Sequence, residues 1–211
     1  MMAETTLAES GERSFAKYEF YAFSIISFAA KSWLLLRLPY RDWWINAFYT
    51  TVLLSWLYGY FRLRQNIKIP PLIIAMLATA VALDVLGNYY GLYGHEFGPL
   101  QYDEFTHFFG SGFSLVPVMW LLRATTRRMG HRLPLNLIAF LAVAITFSFC
   151  AYYEILELWD QKYYGMPRIH GELDTSNDLQ FDLIGILLFT CGASLVFKLS
   201  ESRKRRMKAE G

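Results

Sequence analysis

Long apolar stretches separated by short polar segments dominate this sequence. Six of them have the length and composition of a membrane-spanning helix: residues 18–36, 44–61, 71–92, 105–122, 133–159 and 176–197. A helix needs about 20 mainly apolar residues to cross a hydrocarbon core of about 30 Å. The pattern therefore predicts an all-α polytopic membrane bundle of about six transmembrane helices.

No internal repeat or low-complexity linker divides the chain. The apolar pattern predicts one transmembrane domain at residues 18–199, preceded by a polar tail at 1–17 and followed by a basic tail at 200–211. The first tail has no apolar signal-peptide region, so we expect the first span to be uncleaved.

Composition supports a membrane protein and excludes several other classes. Of the 211 residues, 55% are hydrophobic and 18% are charged, whereas an average soluble domain carries about 25% charged residues. Cys150 and Cys191 lie inside apolar stretches, where a thiol behaves as a small apolar side chain, so we expect no disulfide framework. The formal net charge of +2 does not suit a polybasic nucleic-acid binder. We expect membrane lipids and no nucleic acid as partners, and the sequence leaves the oligomeric state open.

The basic residues predict the orientation of the spans. Fifteen of the 20 Lys and Arg residues lie in the tails and in alternate loops, on the side of both termini, and four lie on the opposite side. Lys and Arg are enriched in cytoplasmic loops of membrane proteins. We therefore expect both termini in the cytoplasm and the protein in a plasma or inner membrane.

The acidic residues show the opposite distribution. Twelve of the 18 Asp and Glu residues lie on the side predicted to be outside. Membrane insertion is nearly indifferent to acidic residues, so topology does not explain this bias. The bias therefore indicates that the acidic residues have a role on the outer side.

Polar pairs occur near the predicted outer ends of four helices. The members of each pair are three or four residues apart, so each pair lies on one helix face. The pairs are Asp84 with Asn88, Asp103 with His107, Glu154 with Glu157, and Asp178 with Asp182, while Asp174 precedes the last pair. The sequence thus predicts a shared polar site just below the outer interface.

Structural roles are alternatives for part of this set. Asp103, Glu104 and Asp178 stand in first helical turns, where a carboxylate stabilises unpaired N–H groups and the helix dipole. Four other acidic residues could simply be solvated residues of loops and helix ends: Glu157, Asp160, Glu172 and Asp174. The deeper residues are Asp84, His107, Glu154 and Asp182. An intramembrane acid costs about 2.5–3.5 kcal/mol, so for these we favour function over structural hydrogen bonding.

Carboxylates so close together must share protons, hold a cation or face a cationic substrate. All-oxygen ligands suit Mg²⁺, Ca²⁺ or Mn²⁺, and one imidazole also admits Zn²⁺ or Fe²⁺. The candidate metal ligands are Asp103, His107, Glu154, Asp178 and Asp182. The candidate catalytic residues are Asp103, His107, Glu154 and Glu157, with Glu157 as the base. Asp84, Asn88 and Asp174 complete the candidate polar site, and we do not favour Ser111 as a nucleophile.

These motifs resemble a known family. The chain resembles the YjdF-type bacterial inner-membrane proteins in three motifs. They are Tyr102-Asp103-x-x-x-His107-Phe108-x-Gly110, Glu154-x-x-Glu157 and Asp174-Thr175-x-x-Asp178. The likeness covers about residues 70–195, and a weaker one extends to VanZ-like membrane proteins. It implies a polytopic inner-membrane architecture and matched polar positions, without an activity. Glu104 departs from the basic residue usual at that position.

Three functions fit the predicted site. The first is metal-dependent hydrolysis or group transfer on a lipid-linked or envelope substrate, with a divalent cation as cofactor. The second is a proton- or cation-coupled transporter or lipid carrier in which Asp84 and Asp182 exchange protons. The third is a non-catalytic envelope assembly factor whose acidic outer surface docks a partner. We favour the first, because a one-sided cluster of mixed ligands suits a fixed site better than a transport pathway.

Overall fold

The structure is a computed structural model, and it describes residues 59–64, 66–97, 99–165, 169 and 171–210, together with Tyr18, Tyr21, Ala22, Ile25 and Ala29. Two compact units divide the chain, Met1–Pro70 and Pro71–Gly211. In the first unit, Tyr60–Arg64 forms a π-helical turn. The predicted spans 18–36 and 44–61 lie outside the described residues, apart from the five positions above, which are helical, and residues 59–61.

The second unit contains four α-helices and one small hairpin. The helices are α1 (Pro71–Tyr90), α2 (Tyr102–Arg128), α3 (Leu135–Tyr164) and α4 (Asp174–Ala209). Between α1 and α2, the two-residue strands β1 (Glu96–Phe97) and β2 (Leu100–Gln101) pair antiparallel. The four helices coincide with the predicted spans 71–92, 105–122, 133–159 and 176–197, and the all-α class is confirmed for the described residues.

Three of these helices are long and apolar enough to cross a membrane: Tyr102–Arg128, Leu135–Tyr163 and Asp174–Met207. Pro71–Gly87 is a shorter apolar helix. Large apolar side chains on α3 and α4, such as Phe140, Leu188 and Leu195, are exposed, as expected of surfaces that face lipid. The number of six spans and the cytoplasmic position of both termini stay predictions from the sequence.

Local chemistry explains where these helices begin and end. At the start of α2, the Gln101 amide donates a hydrogen bond to Glu104 Oε2 at 3.0 Å, which satisfies a backbone group near the helix terminus. Pro134 precedes α3, where its missing N–H is not needed. Gly165 ends α3 with a φ of 69°, in the left-handed region that favours glycine.

Helix α2 packs against the other three helices. Its buried side chains Leu115 and Met119 form a core with Ile138 and Ala142 of α3 and with Ile186 of α4. At the α1 contact, the Tyr102 hydroxyl donates to the Leu83 carbonyl at 2.6 Å. Because α2 contacts every other helix of this unit, side chains on its first turns are surrounded by α1, α3 and α4.

Candidate metal centre

Three helices bring five of the predicted site residues together. Helix α2 contributes Asp103 and His107, α3 contributes Glu154, and α4 contributes Asp178 and Asp182. These five residues are called the acidic cluster below. The i, i+4 spacing places each pair on α2 and α4 on one helix face, and α3 supplies the fifth group from its C-terminal half.

The His107 imidazole is the centre of the acidic cluster. Its Nε2 atom lies 3.7 Å from Asp103 Oδ1, 3.9 Å from Glu154 Oε1 and 3.9 Å from Asp178 Oδ2. Its Nδ1 atom lies 3.3 Å from Asp182 Oδ2. One ring nitrogen therefore faces three carboxylates and the other faces a single carboxylate.

Most of the acidic cluster is buried. The side chains of Glu154, Asp178 and Asp182 are 3–4% exposed, whereas that of Asp103 is 21% exposed. Glu154 Oε1 and Asp182 Oδ2 are buried and have no hydrogen-bond partner. In the described parts of the chain, no Lys or Arg forms an ion pair with Glu154, Asp178 or Asp182. Apart from His107, these buried acids thus have no basic side chain among the described residues to offset their charge.

Small residues let α4 approach α2 closely beside the cluster. A Cβ atom added at Gly185 would collide with the backbone carbonyl of Phe108, and one added at Gly112 would collide with the Phe189 ring. The Ser111 hydroxyl lies 2.6 Å from the His107 carbonyl and 3.1 Å from the Asp182 carbonyl, so it joins the two helices. This contact is a typical use of small residues between membrane helices. The Ser111 hydroxyl thus contributes to the contact between the two helices.

Asp84 occupies a separate polar contact on α1. The Tyr93 hydroxyl donates a hydrogen bond to Asp84 Oδ1 at 2.7 Å. Burial, and then the neighbouring Asp84 carboxylate, raise the pKa of Tyr93 well above its usual range, so the phenol keeps the proton that it donates. Asp84 is not among the grouped candidate metal ligands of the described residues. The side chain of Asn88 lies outside the described part of the structure.

The remaining acidic candidates surround the cluster without joining it. Glu104 Oε1 accepts a hydrogen bond from the Asn177 amide at 3.0 Å, which ties the start of α2 to the start of α4. Glu157 is half-buried one turn beyond Glu154, and Asp174 stands in the first turn of α4. Neither Glu157 nor Asp174 belongs to a group of candidate ligands in the described residues.

Two neighbours of the cluster were not predicted. Thr175 lies beside Glu154, and Cys150 lies beside Asp182. Cys150 precedes Glu154 by four residues, so the helical spacing alone places it on the same face. We interpreted it as a small apolar side chain because it stands within an apolar run. Thr175 could have been found in the same way, because it lies three residues before Asp178 and so shares a helix face with it.

The donor set fits a divalent cation in two overlapping groups. Asp103, His107 and Asp178 form one group, and His107, Glu154 and Asp182 form the other. Within each group, all the possible ligand atoms lie within 4.8 Å of one another. Carboxylate oxygens at this spacing are the ligands that hard divalent cations prefer, and the imidazole widens the choice to Zn²⁺.

A comparison with models of protein families gives a match over most of the chain. A family model described as "Predicted membrane protein (DUF2238)" matches residues 20–198, which is most of the chain. The YjdF-type proteins are this family, so the resemblance found in the motifs is confirmed, whereas the weaker likeness to VanZ-like proteins stays a prediction. No curated protein and no solved structure matches the chain.

Proposed function

The chain belongs to this family of predicted membrane proteins, and we propose that its acidic cluster binds a divalent cation for hydrolysis or group transfer on a lipid-linked or envelope substrate. The observation that carries the proposal is the convergence of four carboxylates on His107 at 3.3–3.9 Å. Two of these carboxylates have a buried oxygen without a hydrogen-bond partner.

Electrostatics favour a bound cation. Several ionised carboxylates repel one another, and burying them unpaired costs several kcal/mol each. His107 carries at most one positive charge, which is too little to balance four carboxylates. A divalent cation supplies the missing charge, and Glu154 Oε1, a buried oxygen without a hydrogen-bond partner, is available to bind it. Metal sites are a common reason for buried acids that have no basic partner.

We propose that the cluster consists of metal ligands and one residue that supports them. Ligand atoms bound to one metal at about 2.1 Å with tetrahedral angles lie about 3.5 Å apart. The distances from His107 Nε2 to Asp103, Glu154 and Asp178 are 3.7–3.9 Å, close to that value. We assign Asp103, His107 and Asp178 as ligands, because their ligand atoms all lie within 4.8 Å of one another, and we propose that Glu154, which faces the same ring nitrogen, completes the set. Asp182 Oδ2 lies 3.3 Å from the other ring nitrogen, and we propose that this carboxylate orients the imidazole.

A cation in this site supplies two kinds of chemistry. It polarises a phosphoryl or acyl oxygen and lowers the pKa of a bound water. Asp103 is the most exposed member of the cluster, so a substrate enters from its side. Glu157 lies one turn further along α3 than Glu154, toward the same end of the bundle, and is the candidate base. A site near the helix ends suits a substrate whose head group lies at the membrane interface.

Elemental analysis of the purified full-length protein tests the proposal. We expect about one equivalent of divalent metal, and we expect Asp178→Asn to lose it because a ligand is removed. Glu172→Gln is the matched control, since Glu172 is exposed in the turn before α4. Asp182→Asn should bind with about 10–100-fold lower affinity, because it changes the group that orients the ligand. Affinity should also fall on acidification, since protons compete for the same ligand atoms.

Two other results would contradict the proposal or favour a different function. A wild-type protein that holds no stoichiometric metal after purification and titration with Mg²⁺, Mn²⁺ and Zn²⁺ would contradict cation binding. If such a protein also showed pH-dependent flux in proteoliposomes that Asp84→Asn abolished, the proton-coupled carrier would become the better hypothesis.

A further inference from the structure

A second polar site lies at the opposite end of the helices. There, an open cavity of ≈ 720 Å³ is bounded by the end of α2, the start of α3 and the C-terminal part of α4. Its charged lining residues are Arg123, Arg127, Arg132, Arg205 and Glu201. Four arginines against one glutamate make it a strongly positive cavity. It lies outside the acidic cluster and shares no residue with it.

The arginines fall into two groups. Arg123 and Arg127 both donate to Glu201 Oε1, the latter at 2.6 Å, and Arg123 also lies over the Phe197 ring with its Cζ 4.7 Å from the centroid. These contacts hold the first two arginines against α4. Arg132 and Arg205 are exposed and form no ion pair with any residue that the structure describes. The second pair is therefore available to a ligand.

The rest of the lining is apolar and favours a lipid over a free anion. Leu133, Leu135 and Ile138 line the cavity beside the arginines, and Ile138 continues into the buried core. The first turn of α3 also borders it and carries neither a side-chain cap nor an acidic residue. Its free N–H groups add to the positive potential. A charged rim beside an apolar wall matches a phosphate head group with an attached acyl chain.

We propose that this cavity binds the phosphate group of an anionic phospholipid. Arg132 and Arg205 pair with the phosphate, Arg123 and Arg127 supply further positive charge, and the apolar wall contacts the glycerol and upper acyl region. Basic pockets between transmembrane helices bind such head groups in general. The site is independent of cation binding at the acidic cluster.

Native mass spectrometry of the full-length protein in neutral detergent tests this assignment. Phosphatidylglycerol, phosphatidylcholine and inorganic phosphate are the three probes. We expect retention of one phosphatidylglycerol, with weaker binding of phosphatidylcholine, which carries no net charge. The double variant Arg132→Gln/Arg205→Gln should bind phosphatidylglycerol about 30-fold more weakly, from about 1 kcal/mol for each basic residue.

Arg203→Gln/Arg206→Gln is the matched control. It removes the same charge from exposed positions of α4 that do not line the cavity, and it should change the affinity by less than about threefold. Equal losses in the two double variants would show a diffuse charge effect and overturn the site. Equal binding of both lipids would also overturn it, and so would saturation by inorganic phosphate that excludes the lipid.

Discussion

Replacing Gly185 with alanine is expected to damage the acidic cluster without touching any of its side chains. Gly185 lies on α4 one turn from Asp182, and a Cβ atom there would collide with the backbone carbonyl of Phe108, the residue after His107. A backbone carbonyl cannot rotate away as a side chain can. The two helices would have to separate by about 1 Å to recover an ordinary carbon–oxygen contact.

That displacement is large compared with what a metal site tolerates. Ligand distances in metal sites hold within about 0.2 Å, so a shift of α4 removes Asp178 from a site whose other ligands lie on α2 and α3. We expect Gly185→Ala to lower cation affinity at least tenfold, about 1.4 kcal/mol. Overpacking should cost about 1–3 kcal/mol of stability, against about 1 kcal/mol gained from the helix propensity of alanine.

Gly192→Ala separates the effect of the collision from the effect of helix propensity. Gly192 lies on the same helix, and a Cβ atom there would meet nothing within 4 Å, so this variant gains the helix propensity without the collision. Thermal unfolding followed by tryptophan fluorescence and cation titration should both be measured on the two variants. Equal unfolding temperatures and equal cation affinities for the two variants would refute the role assigned to the α2–α4 contact.

Three further predictions follow from contacts elsewhere in the molecule. Tyr93→Phe removes the 2.7 Å hydrogen bond to Asp84 and should lower the free energy of unfolding by about 1–3 kcal/mol, whereas Tyr152→Phe at an exposed position should have no effect in the same unfolding assay. Glu104→Ala should cost about 0.5–2 kcal/mol, because α2 loses its N-terminal acceptor, but should leave the metal content unchanged; loss of metal would show that Glu104 belongs to the cation site. Glu201→Gln removes the carboxylate that both Arg123 and Arg127 contact, so phosphatidylglycerol should bind about fivefold more tightly by native mass spectrometry, and unchanged or weaker binding would contradict the lipid site.

Helical spacing predicted most of the acidic cluster. Asp103 with His107 and Asp178 with Asp182 stand four residues apart, and the helix period alone places each pair on one face. Glu154 was predicted from its depth in an apolar stretch, because an intramembrane acid is costly unless it has a role. The structure brings these five residues together, and the cation that we propose for them is still to be tested.

The absence of Asp84 from the groups of candidate ligands among the described residues could not be predicted from sequence. Its depth in the third apolar stretch resembles that of Glu154, and the sequence predicted both for one polar site. The turn after α1, in which the His95 amide donates to the Leu92 carbonyl, places Tyr93 where its hydroxyl donates to Asp84. The pairing of Arg123 and Arg127 with Glu201 could not be predicted from sequence either, because more than 70 residues separate the partners along the chain.

The sequence by itself determined the all-α class, the four described helices and the helix face on which each polar pair lies. These properties depend on local composition and on the period of the helix, which a sequence contains directly. The tertiary structure decided which faces meet. Gly185 and Ser111 set the approach of α4 to α2, so His107 is enclosed by carboxylates from three helices while Asp84 remains with Tyr93. Such contacts depend on packing between residues distant in the chain, and no local pattern encodes them.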